Sequence, residues 1–159
     1  PLTHRGPSNV VTIMHVLTVV LASAAVVLSG LYGFLYLLLL RQMQRQTFGA
    51  LFRRLPDLRQ LSRMTRLSAL AGFFGLLLGV NVGIAMAHSR GVEGFGYTDS
   101  FVLSMLAVCF HFGLIAFSKR IPGITASRAS WAAVGGLILL LAALIMSTVL
   151  PEASFHSLD

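Results

Sequence analysis

Four long apolar runs separated by shorter polar stretches divide the chain, at about 10–40, 67–87, 101–118 and 131–150. About 20 apolar residues in a helix cross a bilayer's hydrocarbon core. Backbone groups in lipid must also be satisfied within their own segment, so helices are the expected form. The pattern predicts an all-α protein: an integral membrane four-helix bundle forming a single membrane domain over 1–159. The first run is long enough to tilt or to project beyond the bilayer. The third is the shortest and is interrupted by His111, and the fourth is stopped by Pro151.

The stretch between the first two runs is patterned too. Phe48, Leu51, Phe52, Leu55, Leu58 and Leu61 recur at roughly helical spacing among arginines. That predicts a basic amphipathic segment lying in the membrane interface over about 46–63.

Composition sharpens this picture. The chain is 56% apolar and 11% charged, against about a quarter charged in soluble domains. The net charge of +7 does not point to nucleic acid, because the basic residues sit between apolar runs rather than on a polar domain. Arg41, Arg45, Arg53, Arg54, Arg59, Arg63 and Arg66 lie in the first connection, and Lys119, Arg120 and Arg128 in the third. Arg5 and Arg90 alone lie on the opposite side, so ten of twelve face one way. By the positive-inside rule that side is cytoplasmic, which places both termini on the non-cytoplasmic side. The single Cys109 makes no intrachain disulfide. The chain opens on Pro1 rather than Met, so a processed chain, or a piece of a longer one, is expected.

Helix two carries Gly72, Gly75, Gly79 and Gly83, whose spacing keeps them on one face. Such a face admits a neighbouring helix, or the edge of a flat ligand, at close range. Asn81, near the middle of this helix, is expected to need a buried partner. Gly135, Gly136, Ala142 and Ala143 form small-residue surface on helix four.

Five histidines complete the candidate chemistry. His4, His15, His88 and His156 fall on the outer side, and His111 alone lies deep. An imidazole at a membrane surface needs no function, and a buried one can simply donate to a carbonyl. Two neutral imidazoles facing across a gap can instead hold a haem iron from both sides. His15 and His156, at the outer ends of helices one and four, are the expected axial pair, as cofactor-binding and metal-ligating residues, with His88 in reserve. Arg5 or Arg90 can pair with haem propionates at the aqueous rim. No HExxH, paired cysteines or phosphate-binding glycine loop is present, and no catalytic residue is assigned.

The order of these features resembles the cytochrome c assembly protein family, membrane haem-handling proteins of the CcsA and HemX type. The matching residues are His15-Val16, the Gly30/Tyr32/Gly33 stretch, Leu55-Pro56-Asp57-Leu58, the helix from Gly72 to His88 with Gly72, Phe73, Gly79, Gly83 and Ala87 in step, and Phe155-His156-Ser157. The resemblance covers nearly the whole chain and corresponds to the C-terminal half of a typical member. It implies haem b ligation by two outer histidines, here His15 and His156. The implied partners are the lipid bilayer, other membrane subunits, haem, and a c-type cytochrome or its assembly partner, in a bacterial or organellar inner membrane. The family's Trp-rich outer segment should fall between helices two and three, yet residues 88–101 contain no Trp. The apparatus for attaching haem is therefore not visible, and whether the protein is an enzyme stays open. Two other readings stand beside a role in passing haem: a small structural subunit without haem, and a b-type electron-transfer subunit.

Overall fold

A computed structural model describes residues 7–46, 56–89 and 100–149. They form four α-helices: α1, Pro7–Gln44; α2, Leu58–Ser89; α3, Ser100–Ala116; and α4, Ala126–Val149. A 3-10 turn, Ser118–Arg120, precedes α4. The 38 residues of α1 and the 32 of α2 reach about 57 and 48 Å at 1.5 Å per residue. The stretches Val10–Gln44 and Leu58–Ser89 are each long and apolar enough to cross a membrane; Val102–Ala116 and Ala126–Ala142 are shorter apolar helices.

Two helices begin five residues or more before their apolar runs. α2 starts at Leu58 rather than near 67, directly after Pro56-Asp57, with the Asp57 carbonyl accepting from the amides of Gln60 and Leu61. No Gly or Pro interrupts the next turns, so the helix runs through its arginines into the apolar stretch. α4 starts at Ala126 rather than 131, because Thr125 caps it: its Oγ1 accepts from the Arg128 amide at 3.3 Å. Hydropathy locates apolar surface, whereas caps locate helix ends. Just before the cap, Gly123 takes a φ of +87°, a conformation that favours glycine.

The helices pack as a ring in which α1 touches α2 and α4, and α3 touches the same two from the other side. The α1–α2 seam is written by the glycines. A Cβ added to Gly72 would meet Val26 at 2.7 Å, one on Gly75 would meet Ala22 at 2.6 Å, and one on Gly79 would meet Val19 at 2.8 Å. Each step down α2 is matched by a step up α1, so the pair is antiparallel and in close contact. On the adjoining face of α1, Gly30 and Gly33 bring it against Leu137 and Ser130/Ala133 of α4. Gly113 admits the ring of Phe73 between α2 and α3, and Gly136 admits His111 and Phe112 between α4 and α3.

The interior gathers Ala22 and Val26, Ala69 and Leu76, Val108, Cys109, Phe112 and Ile115, with Ala133 and Leu140. A second cluster joins Tyr36, Leu39 and Leu61. Between them the buried Ser29 hydroxyl donates to the Thr65 carbonyl at 2.9 Å, and Thr65 donates to Leu61 at 3.0 Å. Both hydroxyls are satisfied by backbone carbonyls, as an apolar interior requires. The amphipathic segment expected over about 46–63 divides: 47–55 lie outside the described residues, whereas Leu58 and Leu61 belong to α2 and pack beside Tyr36 and Leu39. Asn81 also differs from expectation. Its side chain is exposed and donates to the Leu77 carbonyl one turn back, at 2.7 Å, so its own helix supplies a partner.

Candidate functional site

The end of the bundle where α1 begins and α2 finishes holds a cleft of about 140 Å³, walled by His15 and Val19, by Leu76, Gly79, Val80, Gly83 and Ile84, and by Val102 and Met105. Three helices build it. α1 and α2 stay close as far as Gly79, where Val19 still touches the glycine face. One turn further the opposing residue is His15, whose ring lies over Gly83: a Cβ there would sit 3.1 Å from its Cε1. A larger residue at position 83 would displace the imidazole, so the glycine makes the ring's place.

His15 is the one polar side chain in that wall. Its Nδ1 is buried and has no hydrogen-bond partner among the described residues. An unsatisfied buried nitrogen costs about 1–3 kcal/mol, and such groups in a native fold call for an explanation.

The other histidines sort differently. His88 is exposed in the last turn of α2. Five residues beyond Gly83, it is rotated by about 140° from the face that carries His15. The structure therefore does not bring His15 and His88 into one wall. His156, His4, Arg5 and Arg90 lie outside the described residues. His111 is structural: its Nε2 lies 2.7 Å from the Ala132 carbonyl, the geometry of an Nε2–H donor, and its ring stacks edge-on to Phe112 at 5.7 Å. Replacing His111 by Leu should lower stability by about 1 kcal/mol, the worth of an ordinary hydrogen bond, without altering any haem spectrum. A thermal melt and an absorbance scan on one sample check both.

Sequence reading singled out His15 but not the far wall of the cleft. Val102 and Met105 carry no signal that separates them from other apolar residues of α3, and only the packing of α3 on α2 brings them to the cleft. The glycine face also behaves differently from one open to a ligand along its length. From Gly72 to Gly79 it is filled by Val26, Ala22 and Val19, which leaves the cleft only the Gly83 end. Among the described residues no group of three or more His, Cys, Asp or Glu is placed to hold a metal ion.

The family model described as "Cytochrome C assembly protein" matches residues 4–153. The chain belongs to the cytochrome c assembly protein family. That match spans all four helices, together with the glycine seam and His15. It supports a cytochrome c assembly-type function. No curated protein and no solved structure gives a significant match.

A haem is what this family implies, and the cleft can be tested against it. An imidazole with an unspent nitrogen, an apolar wall and a glycine beneath the ring all suit a haem ligand. At about 140 Å³ the cleft admits a porphyrin edge rather than a whole ring, since sites enclosing drug-sized ligands run to roughly 300–1,000 Å³. The residues that would hold a haem edge here are His15, Val19 and Gly83, with the His15 imidazole as the group able to ligate iron.

Proposed function

We propose that this family member is an integral membrane protein that binds or passes haem b at its outer face, with His15 as an axial ligand. The observation that carries the reading is the His15 imidazole standing over Gly83 as the one polar side chain in the wall of an apolar cleft. His156 is the proposed second ligand, with His88 in reserve, and Arg5 or Arg90 the proposed partner of the propionates. Bound haem would supply a redox-active iron; the chain's own part is to present the imidazole, exclude water with Val19, Leu76 and Val80, and leave the porphyrin's other edge accessible for transfer. The proposed recipients are a c-type cytochrome or its assembly partner, with other membrane subunits alongside.

Membrane placement is supported by the exposed faces. Ile13, Met14, Leu17, Val20 and Leu21 of α1, with Phe74, Leu78, Phe110 and Ile138 elsewhere, are exposed, a surface that suits lipid as its solvent. Every described Lys and Arg lies at the bundle end opposite the cleft: Arg41, Arg45, Arg59, Arg63, Arg66, Lys119, Arg120 and Arg128. That end is proposed as cytoplasmic, in a bacterial or organellar inner membrane, with both termini and the His15 cleft outside.

Orientation has a clean test. The chain's one cysteine, Cys109, is buried, so a cysteine introduced by Ser154→Cys should be the reactive thiol. An impermeant maleimide should label it in intact cells or right-side-out vesicles. Labelling only after permeabilisation reverses the orientation.

Haem itself is tested by the optical spectrum of the purified protein. A reduced b-type absorbance is expected. A colourless preparation, after haem is supplied, favours the structural-subunit reading. The glycine seam limits that alternative, because Gly72, Gly75 and Gly79 are occupied within the chain, while Gly135 faces open space.

A further inference from the structure

The basic end of the bundle is more than a charge signal. Between the first turns of α2 and the 3-10 turn lies a second, larger cleft of about 760 Å³, lined by Asp57, Arg59, Gln60, Arg63, Met64, Arg66, Leu67 and Lys119. Its cations come from two separate connections and converge only through the fold. Asp57 is the one acidic residue among those described, so the cleft's lining carries one carboxylate alongside Arg59, Arg63, Arg66 and Lys119.

The arginines and lysine at this end are not equivalent. Arg66 is held along its own helix, donating from Nε to the Ser62 carbonyl at 3.1 Å and from Nη2 to the Ser62 hydroxyl at 2.6 Å. Outside the cleft, Arg128 donates to the Gly123 carbonyl at 2.9 Å, and Arg120 lies 5.8 Å from the Phe117 ring centroid. Arg59, Arg63 and Lys119 have no hydrogen-bond or ion-pair partner among the described residues. The cleft therefore combines a pre-positioned guanidinium, three uncommitted cations and an apolar side made by Met64 and Leu67. That combination suits an amphipathic anion: a phosphate against the cations and a hydrocarbon chain along the apolar side.

We propose that this cleft binds the headgroup of an anionic phospholipid of the inner leaflet. The proposal rests on the membrane placement given above and is independent of haem. A phosphate ester is the shared chemistry of a lipid headgroup and of free phosphate. The lipid is favoured because the cleft opens where α2 changes from basic to apolar, at Arg66-Leu67, the level at which a headgroup sits beside its chains.

The test uses the full chain in nanodiscs of phosphatidylcholine containing a minority of phosphatidylglycerol. Native mass spectrometry reads the ratio of the two lipids retained by the protein. Phosphatidylglycerol should be enriched in the parent. The enrichment should fall about fivefold for each cation removed, since a basic residue near an anionic surface is worth about 1 kcal/mol. Arg59→Gln with Arg63→Gln is the main variant. Lys119→Gln, at an exposed position of the 3-10 turn, is the second, and its effect does not depend on the first turns of α2 staying intact. Arg45→Gln removes a charge at the same end but outside the cleft and should leave the ratio unchanged. An equal loss in Arg45→Gln, or no loss in the cleft variants, overturns the site. Inorganic phosphate that stabilises lipid-free protein saturably, with no preference between the two lipids, assigns the cleft to a free anion and also overturns it. Trp131, the single tryptophan and 65% exposed, separates the two levels of failure. Quenching of its fluorescence by brominated phosphatidylcholine without phosphatidylglycerol enrichment sinks the cleft alone. Absence of quenching sinks the membrane placement and the lipid site with it.

Discussion

Replacing His15 by Leu is expected to abolish the reduced b-type absorbance while leaving the bundle at least as stable as the parent. The two effects have one cause. The imidazole has a buried Nδ1 without a partner among the described residues, a cost of about 1–3 kcal/mol in the ligand-free protein. Leu has a comparable volume, suits a wall of Val19, Leu76 and Val80, and has no polar atom to leave stranded. A residue kept for packing would lose stability on substitution; a residue kept for a ligand loses the ligand and gains stability. Thermal melts of haem-free protein and spectra after haem addition separate the two. Haem retained by His15→Leu removes His15 from the iron, and a marked loss of stability makes it a packing residue. His156→Ala should also lose the spectrum. If instead His156→Ala keeps it and His88→Ala loses it, the reserve ligand replaces the proposed pair.

Gly75→Leu should break the α1–α2 seam, with a cost of about 3 kcal/mol or more, at the upper end of what overpacking produces. Even a Cβ at this position would sit 2.6 Å from the Ala22 Cβ and 3.3 Å from its Cα. Ala22 has no flexible side chain to swing aside, so the helices themselves must separate. Gly79→Leu should act in the same direction but more weakly, because the Val19 methyl it meets can rotate. Leu78→Ala, on a side chain that is 56% exposed, is the control and should assemble as the parent does. Detergent resistance and yield of monodisperse protein report the order. Equal behaviour of all three variants would show that the glycine face is not a packing seam.

What the sequence determined by itself is what depends on local composition. Runs of apolar residues require helices in lipid, and the spacing of Gly72, Gly75, Gly79 and Gly83 fixes one face of α2 without reference to any partner. The family was legible for the same reason: His15, the Gly72–His88 helix and Leu55-Pro56-Asp57-Leu58 keep their order along the chain. The structure decided what depends on residues distant in sequence. It assigned most of the glycine face to Val26, Ala22 and Val19, made His111 a clamp on Ala132, and turned Asn81 outward onto Leu77. It also brought Val102 and Met105 of α3 to the cleft that holds His15, and Lys119 to the arginines of α2. Periodicity specifies which way a side chain points from its own helix; what it meets there is set by the register and order of the helices around it, and neither is written in any one segment.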